Sequence, residues 1–363
     1  MSATQPLVSI GLPVYNGERY VGAALEALVT QDYENIEFII SDNCSTDRTE
    51  EICLEYAARD PRVRYSRTAK NEGPAPNFHR VFDLAGGKYF MWAAHDDLWQ
   101  PTLVTKCVEK LEQNPGAVLA CSHVRIIDED GKTVSEKALV GAAHPDRAKR
   151  IRQLLSCQDF AYPVYGLTRR DAMRRVLPLQ LSWGNDFILL TKLCLLGSIV
   201  VVPEVLFSYR TFQKKTHDSM AVNIGLTPGS TMLARNKDTY LGVLRAIRDA
   251  DVPGREKKKL SLIAAVTFGK QWPGWIKTSL HANAYPKYLL PALKNRESGN
   301  RGLAAYYALR AMAANPFYLL SRAWVIPLEA AAGPRLAGLV RKLAGRSKEG
   351  KKKESPLTGT KSN

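Results

Sequence analysis

Short polar stretches of the sequence carry side chains suited to holding a planar base, binding a divalent cation and moving a proton. Tyr15 in PVYNGE and Asp42 in SDNCSTD each follow an apolar, strand-like run. An aromatic face and a carboxylate together can hold a base, because the carboxylate accepts from an N–H such as that of uracil. The other interpretation of SDNCSTD is a turn with capping residues, which we favour for Ser45 to Asp47 but not for Asp42.

A third polar stretch, HDD, follows the apolar run KYFMWAA and contains His95, Asp96 and Asp97. Magnesium is commonly held by one or two carboxylates together with substrate phosphate oxygens. We therefore expect Asp96 to be a ligand of a divalent cation that also binds a diphosphate. We expect Asp97 to cap the helix that follows.

Proton transfer needs a further carboxylate, and Asp186 in LSWGNDFILL is the candidate because it opens an otherwise apolar helix. It could act as a general base toward an acceptor hydroxyl. On sequence alone, the helix cap or first-turn interpretation is equally good. His217 lies in a polar stretch after a strand, where packing gives a histidine little reason to occur.

The elements that must position these residues alternate along the first third of the chain. Apolar runs predict strands at 7–12, 36–40, 63–65, 89–93 and 118–127, with amphipathic helices between them and a hairpin turn at Asp130-Gly131. This alternation predicts an α/β fold with a mainly parallel, doubly wound sheet, in which ligands bind beyond the carboxyl ends of the strands. Farther along, two short strands are expected at 199–202 and 205–209 around Pro203-Glu204, and the chain is helix-compatible from Met232 onward.

The charge of the chain is strongly segregated. Its 51 Lys and Arg exceed its 35 Asp and Glu to give +16, yet residues 1–254 hold 30 of each sign and residues 255–363 hold 21 basic and 5 acidic side chains. This pattern predicts a neutral body with a basic appendage for an anionic surface, either phospholipid or nucleic acid, although a solvated face is the simpler alternative. The composition, 45% hydrophobic and 24% charged, excludes a disordered or multispanning protein.

Cysteine usage and apolar windows indicate the compartment. The six cysteines form no C-x-x-C pair, so we expect a reducing environment and no disulfide framework. No signal peptide is visible, and charged residues interrupt the apolar windows 187–202 and 317–332, so neither is expected to span a bilayer.

The order and spacing of LVSIGLPVYNGERYV, QDYENIEFIISDNCSTDRT, NEGPAPNFHRVFDLAGGKYFMWAAHDDLWQP and GNDF resemble the family-2 glycosyltransferases, inverting enzymes of the GT-A fold, over roughly residues 5–220. The resemblance implies a nucleotide-binding set of side chains: Pro13, Val14, Tyr15, Glu18, Asp42, Lys70, Asn71, His95 and Asp96. It also implies that Asp186 is the catalytic base and that Asp96 and His217 contact the metal or diphosphate.

One departure from the family pattern concerns the D-x-D motif, whose place is taken by Ala94-His95-Asp96. The first aspartate, usually the one that contacts ribose, is absent, whereas the usual metal ligand Asp96 is retained. The family then implies transfer of a hexose-type sugar from a nucleoside-diphosphate sugar, above all a UDP-sugar, to a saccharide or lipid-linked acceptor. Mn²⁺ or Mg²⁺ is the implied cofactor, and cell-surface polysaccharide or glycan biosynthesis is the implied pathway.

The expected domains are a catalytic GT-A domain at 1–225, a basic helical region at 226–345 and a disordered Lys-rich tail at 346–363. Aromatic and basic residues at 315–346 suit peripheral contact with an anionic membrane, so we expect a cytoplasmic protein that binds the inner face of the membrane. A nucleotidyltransferase is the nearest alternative, although no Gly-rich phosphate loop follows the first strand. A nucleic-acid-binding protein would explain the charge, but no nucleic-acid-binding signature occurs and no such partner is expected.

Overall fold

Strands and helices alternate through the first 112 residues, as the apolar runs predict. The computed structural model describes residues 5–157, 161–178, 182–212 and 232–279. The elements of this first stretch are β1 (Val8–Val14), α1 (Val21–Val29), β2 (Ile36–Asp42), α2 (Thr49–Arg59), β3 (Val63–Arg67), α3 (Pro74–Asp83), β4 (Tyr89–Trp92), β5 (Leu98–Trp99) and α4 (Leu103–Glu112). Each strand of the predicted series lies within two residues of its expected start.

The remaining elements complete the sheet and add helices. They are β6 (Ala117–Ile127), β7 (Thr133–Lys137), α5 (Arg147–Ser156), a 3₁₀ turn (Tyr162–Tyr165), β8 (Leu167–Arg169), α6 (Arg170–Val176), α7 (Asn185–Leu196), β9 (Ser198–Arg210), α8 (Met232–Asp249) and α9 (Gly254–Ser279). The chain divides into two units, Met1–Phe268 and Gly269–Asn363. The sheet and all of the site residues discussed below belong to the first unit.

The sheet has the strand order β3-β2-β1-β4-β8-β6-β9-β5, with β7 paired to β6. Strands β3, β2, β1 and β4 are parallel to one another, as are β6 and β9, whereas β8, β5 and β7 pair antiparallel to their neighbours. Every residue of β1 is buried, which agrees with its mainly apolar composition, since a central parallel strand is covered on both faces. The predicted hairpin turn is present, with Gly131 at φ +84°.

Two local expectations were wrong. The two short strands expected around Pro203-Glu204 are one strand, β9, which shifts its register against β6 where Ser122 pairs with Val202 and His123 with Val205. Pro203 and Glu204 bulge outward and are exposed, because proline has no N–H to give to a ladder. Asp97 does not cap a helix, since it precedes the short strand β5 and is buried.

Two general features bear on the environment of the protein. All six cysteines are free thiols. In the part of the chain that the structure describes, every helix is too short or too polar to cross a bilayer.

Candidate active site

A cleft of about 690 Å³ opens where the carboxyl ends of β1, β2 and β4 meet. Its lining comes from four chain segments that are distant in sequence, with Phe212 closing one side. The lining residues of these segments are Pro13 to Gly17 with Arg19 and Tyr20; Asn43; Asn71, Gly73, Pro74, Asn77 and Phe78; and Ala94 to Asp96. Carboxyl ends of parallel strands meet at one edge of a sheet, which is why these segments converge. Of the predicted nucleotide-binding residues, this cleft brings together Pro13, Val14, Tyr15, Asn71, His95 and Asp96.

The loop after β1 is fixed by reciprocal hydrogen bonds to the loop after β2. The backbone N–H groups of Asn16 and Gly17 donate to Ser45 Oγ (2.9 Å) and Thr49 Oγ1 (2.8 Å). Glu18 does not line the cleft, because its carboxylate accepts from the backbone N–H of Arg48 at the start of α2, 3.0 Å away. Glu18 therefore joins the two loops. Tyr15, which is 42% exposed, lies in the lining of the cleft.

Gly17 is required where the two walls of the cleft approach each other. A Cβ at this position would lie 2.7 Å from His95 Cδ2 and 2.8 Å from Val14 Cγ2. Any side chain would push His95 out of place. The glycine thus sets the width of the cleft beside the HDD segment.

Asp42 lies beneath the cleft rather than in its lining, and its side chain is completely buried. One carboxylate oxygen accepts from the backbone N–H (2.9 Å) and hydroxyl (2.5 Å) of Ser45, and the other accepts from the Tyr65 hydroxyl (2.9 Å). The Arg67 guanidinium forms an ion pair with it at 3.3 Å. In this structure Asp42 organises the 43–47 loop, and direct contact with a base stays a prediction that would require these partners to move.

The side chains that do face the cleft from this region are amides, which the sequence interpretation largely missed. Asn43 donates from Nδ2 to Asn71 Oδ1 (2.8 Å) and accepts at Oδ1 from the Glu72 N–H (2.9 Å). Asn77 is buried and donates to the carbonyl of Ser41 (2.9 Å). Lys70 is exposed outside the cleft lining. The sequence signal that could have identified Asn43 is its position directly after the last residue of β2.

Arg210 fixes the position of the HDD segment through hydrogen bonds. The sequence interpretation did not single out this residue. Its backbone N–H donates to Asp97 Oδ1 (2.8 Å), and its Nε donates to the Asp96 carbonyl (2.7 Å). The same guanidinium donates to the carbonyls of Asp128 and Glu129 and lies over the Tyr20 ring, 4.6 Å from its centroid. Arg210 ends the apolar strand β9, and this position is the signal that could have found it.

The donor set at this loop fits a cation that takes most of its ligands from a substrate. In the described ranges, no three His, Cys, Asp or Glu side chains cluster as a self-sufficient metal site. Asp96 presents one carboxylate to the cleft, which suits Mg²⁺ or Mn²⁺ bound mainly by diphosphate oxygens. The other predicted ligand, His217, lies outside the described residues.

Asp186 lies in the first turn of α7, two residues after Gly184, whose left-handed φ of +72° turns the chain into the helix. A Cβ on Gly184 would collide with the Thr239 side chain of α8, whose hydroxyl donates to the Trp183 carbonyl (3.1 Å). Asp186 is an exposed residue of the helix surface, yet the protein groups around its carboxylate desolvate that group and raise its pKa to about 6.

The site of Asp186 adjoins the HDD segment through two tyrosines. Burial raises the pKa of Tyr165 well above its usual value, and the negative charges of Asp186, Asp97 and Asp96 raise it further. The pKa of Tyr209 is raised by burial and by the same three carboxylates. The candidate base Asp186 and the candidate cation ligand Asp96 therefore raise the pKa values of the same two tyrosines.

Known proteins share this sequence pattern and this fold. Residues 9–177 match the family described as Glycosyl transferase family 2. An uncharacterized glycosyltransferase of Nostoc sp. is 27% identical over 219 residues, 59% of this chain and 67% of the relative. One from Rickettsia bellii is 34% identical over 135 residues, 36% of this chain but 19% of the relative, so the chain spans about a fifth of that protein.

Solved structures with low identity show the same fold. S. aureus TarS 1-349 in complex with UDP-GlcNAc has a TM-score of 0.58 and 16% identity, with 93% of this chain and 92% of that chain covered. Mannosyltransferase PcManGT from Pyrobaculum calidifontis, in complex with GDP-Man and Mn²⁺, has a TM-score of 0.53 and 16% identity, with 95% and 89% covered.

Proposed function

Since this chain belongs to glycosyl transferase family 2 and has the GT-A fold, we propose that it moves a hexose-type sugar from a nucleoside-diphosphate sugar, a UDP-sugar first, to an acceptor hydroxyl with inversion. The acceptor is a saccharide or a lipid-linked saccharide of a cell-surface polysaccharide or glycan. The observation that carries the proposal is that Tyr15, Asn71 and Asp96 line one cleft. In addition, the negative charges of Asp186 and Asp96 both raise the pKa values of Tyr165 and Tyr209.

The cleft is suited to a nucleotide at its outer end. Tyr15 offers an exposed ring for a base to stack on, and the amides of Asn43 and Asn71 line the cleft. A nucleoside-diphosphate sugar as donor is also supported by UDP-GlcNAc in TarS and GDP-Man with Mn²⁺ in PcManGT.

The diphosphate is proposed to lie beside His95 and Asp96, where Gly17 leaves room for it. Asp96 would hold a divalent cation there, and the cation would supply neutralisation of the charge on a departing diphosphate. Arg210 keeps the Asp96 backbone in place through the 2.7 Å bond to its carbonyl. His217 remains a proposed further contact.

Asp186 is proposed as the general base of a single displacement. Its carboxylate takes the proton of the acceptor hydroxyl, whose oxygen forms a bond to the anomeric carbon on the face opposite the diphosphate. The bond from the anomeric carbon to the diphosphate oxygen breaks, and its electron pair leaves with the diphosphate. A pKa of about 6 leaves Asp186 ionised at neutral pH and more basic than an ordinary aspartate, as a general base requires.

The basic region at 226–345 is proposed to keep the enzyme on the inner, cytoplasmic face of a membrane. The support is its charge, since all of the +16 excess lies beyond residue 254. In the described part of this region, Lys258, Lys259 and Leu262 are exposed on α9. The aromatic and basic residues at 315–346 and the tail at 346–363 lie outside the described residues.

The proposal is tested by titrating UDP-, GDP- and dTDP-sugars into the protein with Mg²⁺ or Mn²⁺ in a calorimeter. We expect saturable binding of at least one nucleotide sugar, with a matching rise in melting temperature, because a ligand of the folded state stabilises it by mass action. With that donor, the released product should be the nucleoside diphosphate. Absence of nucleotide-sugar binding would refute the proposal, and pyrophosphate release from a nucleoside triphosphate would support a nucleotidyltransferase instead.

A further inference from the structure

Three tyrosines, Tyr162 and Tyr165 of the 3₁₀ turn and Tyr209 of β9, form a half-buried cluster that we call the aromatic wall. The Tyr162 and Tyr209 ring centroids are 5.2 Å apart at 71°, and those of Tyr165 and Tyr209 are 6.4 Å apart. Behind the wall, the buried ring of Phe207 packs against Tyr165, with the two ring centroids 5.6 Å apart. The void beneath is about 10 Å³, so the rings rest on a packed core.

The aromatic wall lies between the two halves of the proposed catalytic machinery. Its 3₁₀ turn packs against α7, which carries Asp186, and against β4, which leads into the HDD segment. Tyr209 directly precedes Arg210, whose backbone N–H donates to Asp97. These contacts place the wall beside the proposed base and beside the segment proposed to hold the diphosphate.

The hydroxyl groups of Tyr165 and Tyr209 have no role within the described parts of the protein. Neither donates or accepts a hydrogen bond with another described residue, although both residues are only partly exposed. Their raised pKa values keep both hydroxyls protonated at any physiological pH, so each is available as a donor. Rigid rings with unused polar ends are typical of ligand-binding surfaces rather than of a core.

We infer that the aromatic wall is the acceptor subsite and that it binds the pyranose ring of a saccharide acceptor, with one sugar hydroxyl at Asp186. This inference rests on the proposed function. A pyranose presents a face of C–H groups that packs on an aromatic ring, and its hydroxyls can accept from Tyr165 and Tyr209 while one of them donates to Asp186. An alkyl chain would gain nothing from two phenol donors and nearby carboxylates, so the subsite selects sugar.

The test is saturation-transfer NMR on protein loaded with UDP and Mg²⁺, with the methyl glycosides of glucose, galactose, mannose and N-acetylglucosamine as probes. Tyr209→Leu removes a ring, Tyr165→Phe removes only a hydroxyl, and Tyr56→Phe is the matched control. The Tyr56 hydroxyl bonds to Gly22 and Glu26 on α1, away from the wall. Melting temperatures establish that each variant is folded.

We expect at least one glycoside to receive saturation in the wild type and in Tyr56→Phe. Tyr209→Leu should lose most of that signal, and Tyr165→Phe should weaken glycoside affinity about fivefold, the effect of one hydrogen bond. UDP affinity should stay unchanged in all three variants. Absence of saturation in the wild type, or equal saturation in Tyr209→Leu, would overturn the inference, whereas failure of the wild type to bind any nucleotide sugar would overturn the proposed function.

Discussion

Asp186 combines an exposed position in the chain with a desolvated carboxylate whose pKa is raised to about 6, whereas an ordinary aspartate titrates near 4. We predict that Asp186→Asn lowers sugar transfer by about 10²- to 10⁴-fold, the usual contribution of a general base, while donor affinity stays unchanged. Asp171→Asn is a matched control, because Asp171 also lies in the first turn of a helix but its side chain is 94% exposed. Transfer by Asp186→Asn above a tenth of the wild-type rate would remove Asp186 from this role.

The raised pKa of Asp186 also predicts two effects of pH. Transfer should fall as the pH drops below about 6, because protonated Asp186 cannot accept a proton. The folded state holds this proton more tightly than the unfolded state, so Asp186 lowers stability as the pH rises from about 4 to 6. The melting temperature of Asp186→Asn should therefore be higher than that of the wild type at pH 8 and equal to it at pH 4. Differential scanning calorimetry checks both values, and equal melting temperatures at pH 8 would contradict the raised pKa.

Asp42 is expected to act through the loop that it organises. We predict that Asp42→Ala lowers the free energy of unfolding by on the order of 3 kcal/mol, because Arg67, Tyr65 and Ser45 all lose a buried partner. Tyr65→Phe, which removes one of these bonds, should cost about 1 kcal/mol. Urea unfolding at neutral pH measures both changes, and equal stabilities of Asp42→Ala and wild type would contradict the buried network.

The sequence predicts which segments form the cleft better than it predicts which side chains face it. Tyr15, His95 and Asp96 line the cleft as the strand-end pattern indicated, and Asn71 lines it as the family resemblance implied, whereas Asp42 does not. Successive side chains of a strand point to opposite faces, so at the end of β2 a shift of one residue exchanges Asp42 for Asn43. Apolar periodicity defines the strand but does not settle that last position.

At the scale of elements, the start of α7 depends on its contact with α8. We predict that Gly184→Ala lowers transfer and stability while donor affinity stays near wild type, because a Cβ would collide with Thr239 and the left-handed φ disfavours alanine. The collision would shift Asp186, two residues away. Gly116→Ala is the control, since a Cβ there meets nothing within 4 Å. Steady-state kinetics that leave Gly184→Ala equal to Gly116→Ala would contradict this coupling.

The alternating elements of the first 127 residues were predictable because buried parallel strands and amphipathic helices leave strong periodic signals. The contacts between distant elements were not. Arg210 joins β9 to the HDD segment and to the β6–β7 turn, and nothing in the local pattern of β9 reveals those partners. Asp97 was misassigned for the same reason, since its partner Arg210 lies 113 residues away.

At the scale of the whole molecule, the segregated charge predicts salt-dependent binding to anionic vesicles. The full chain should sediment with phosphatidylserine-containing vesicles at low salt and be released as salt rises, because a basic region is attracted through a screened field. A chain truncated after about residue 315 should stay in the supernatant, and neutral phosphatidylcholine vesicles are the control. Sedimentation of the truncated chain with anionic vesicles would place the contact elsewhere.

We propose that one nucleotide sugar binds at the carboxyl ends of β1, β2 and β4, with its anomeric carbon beside Asp186. The most direct measurement is a crystal structure of the protein with the donor that calorimetry identifies. We predict the base against Tyr15, the diphosphate beside His95 and Asp96, and the Asp186 carboxylate on the face of the anomeric carbon opposite the diphosphate. A nucleotide bound outside this cleft, or an anomeric carbon turned away from Asp186, would contradict the account.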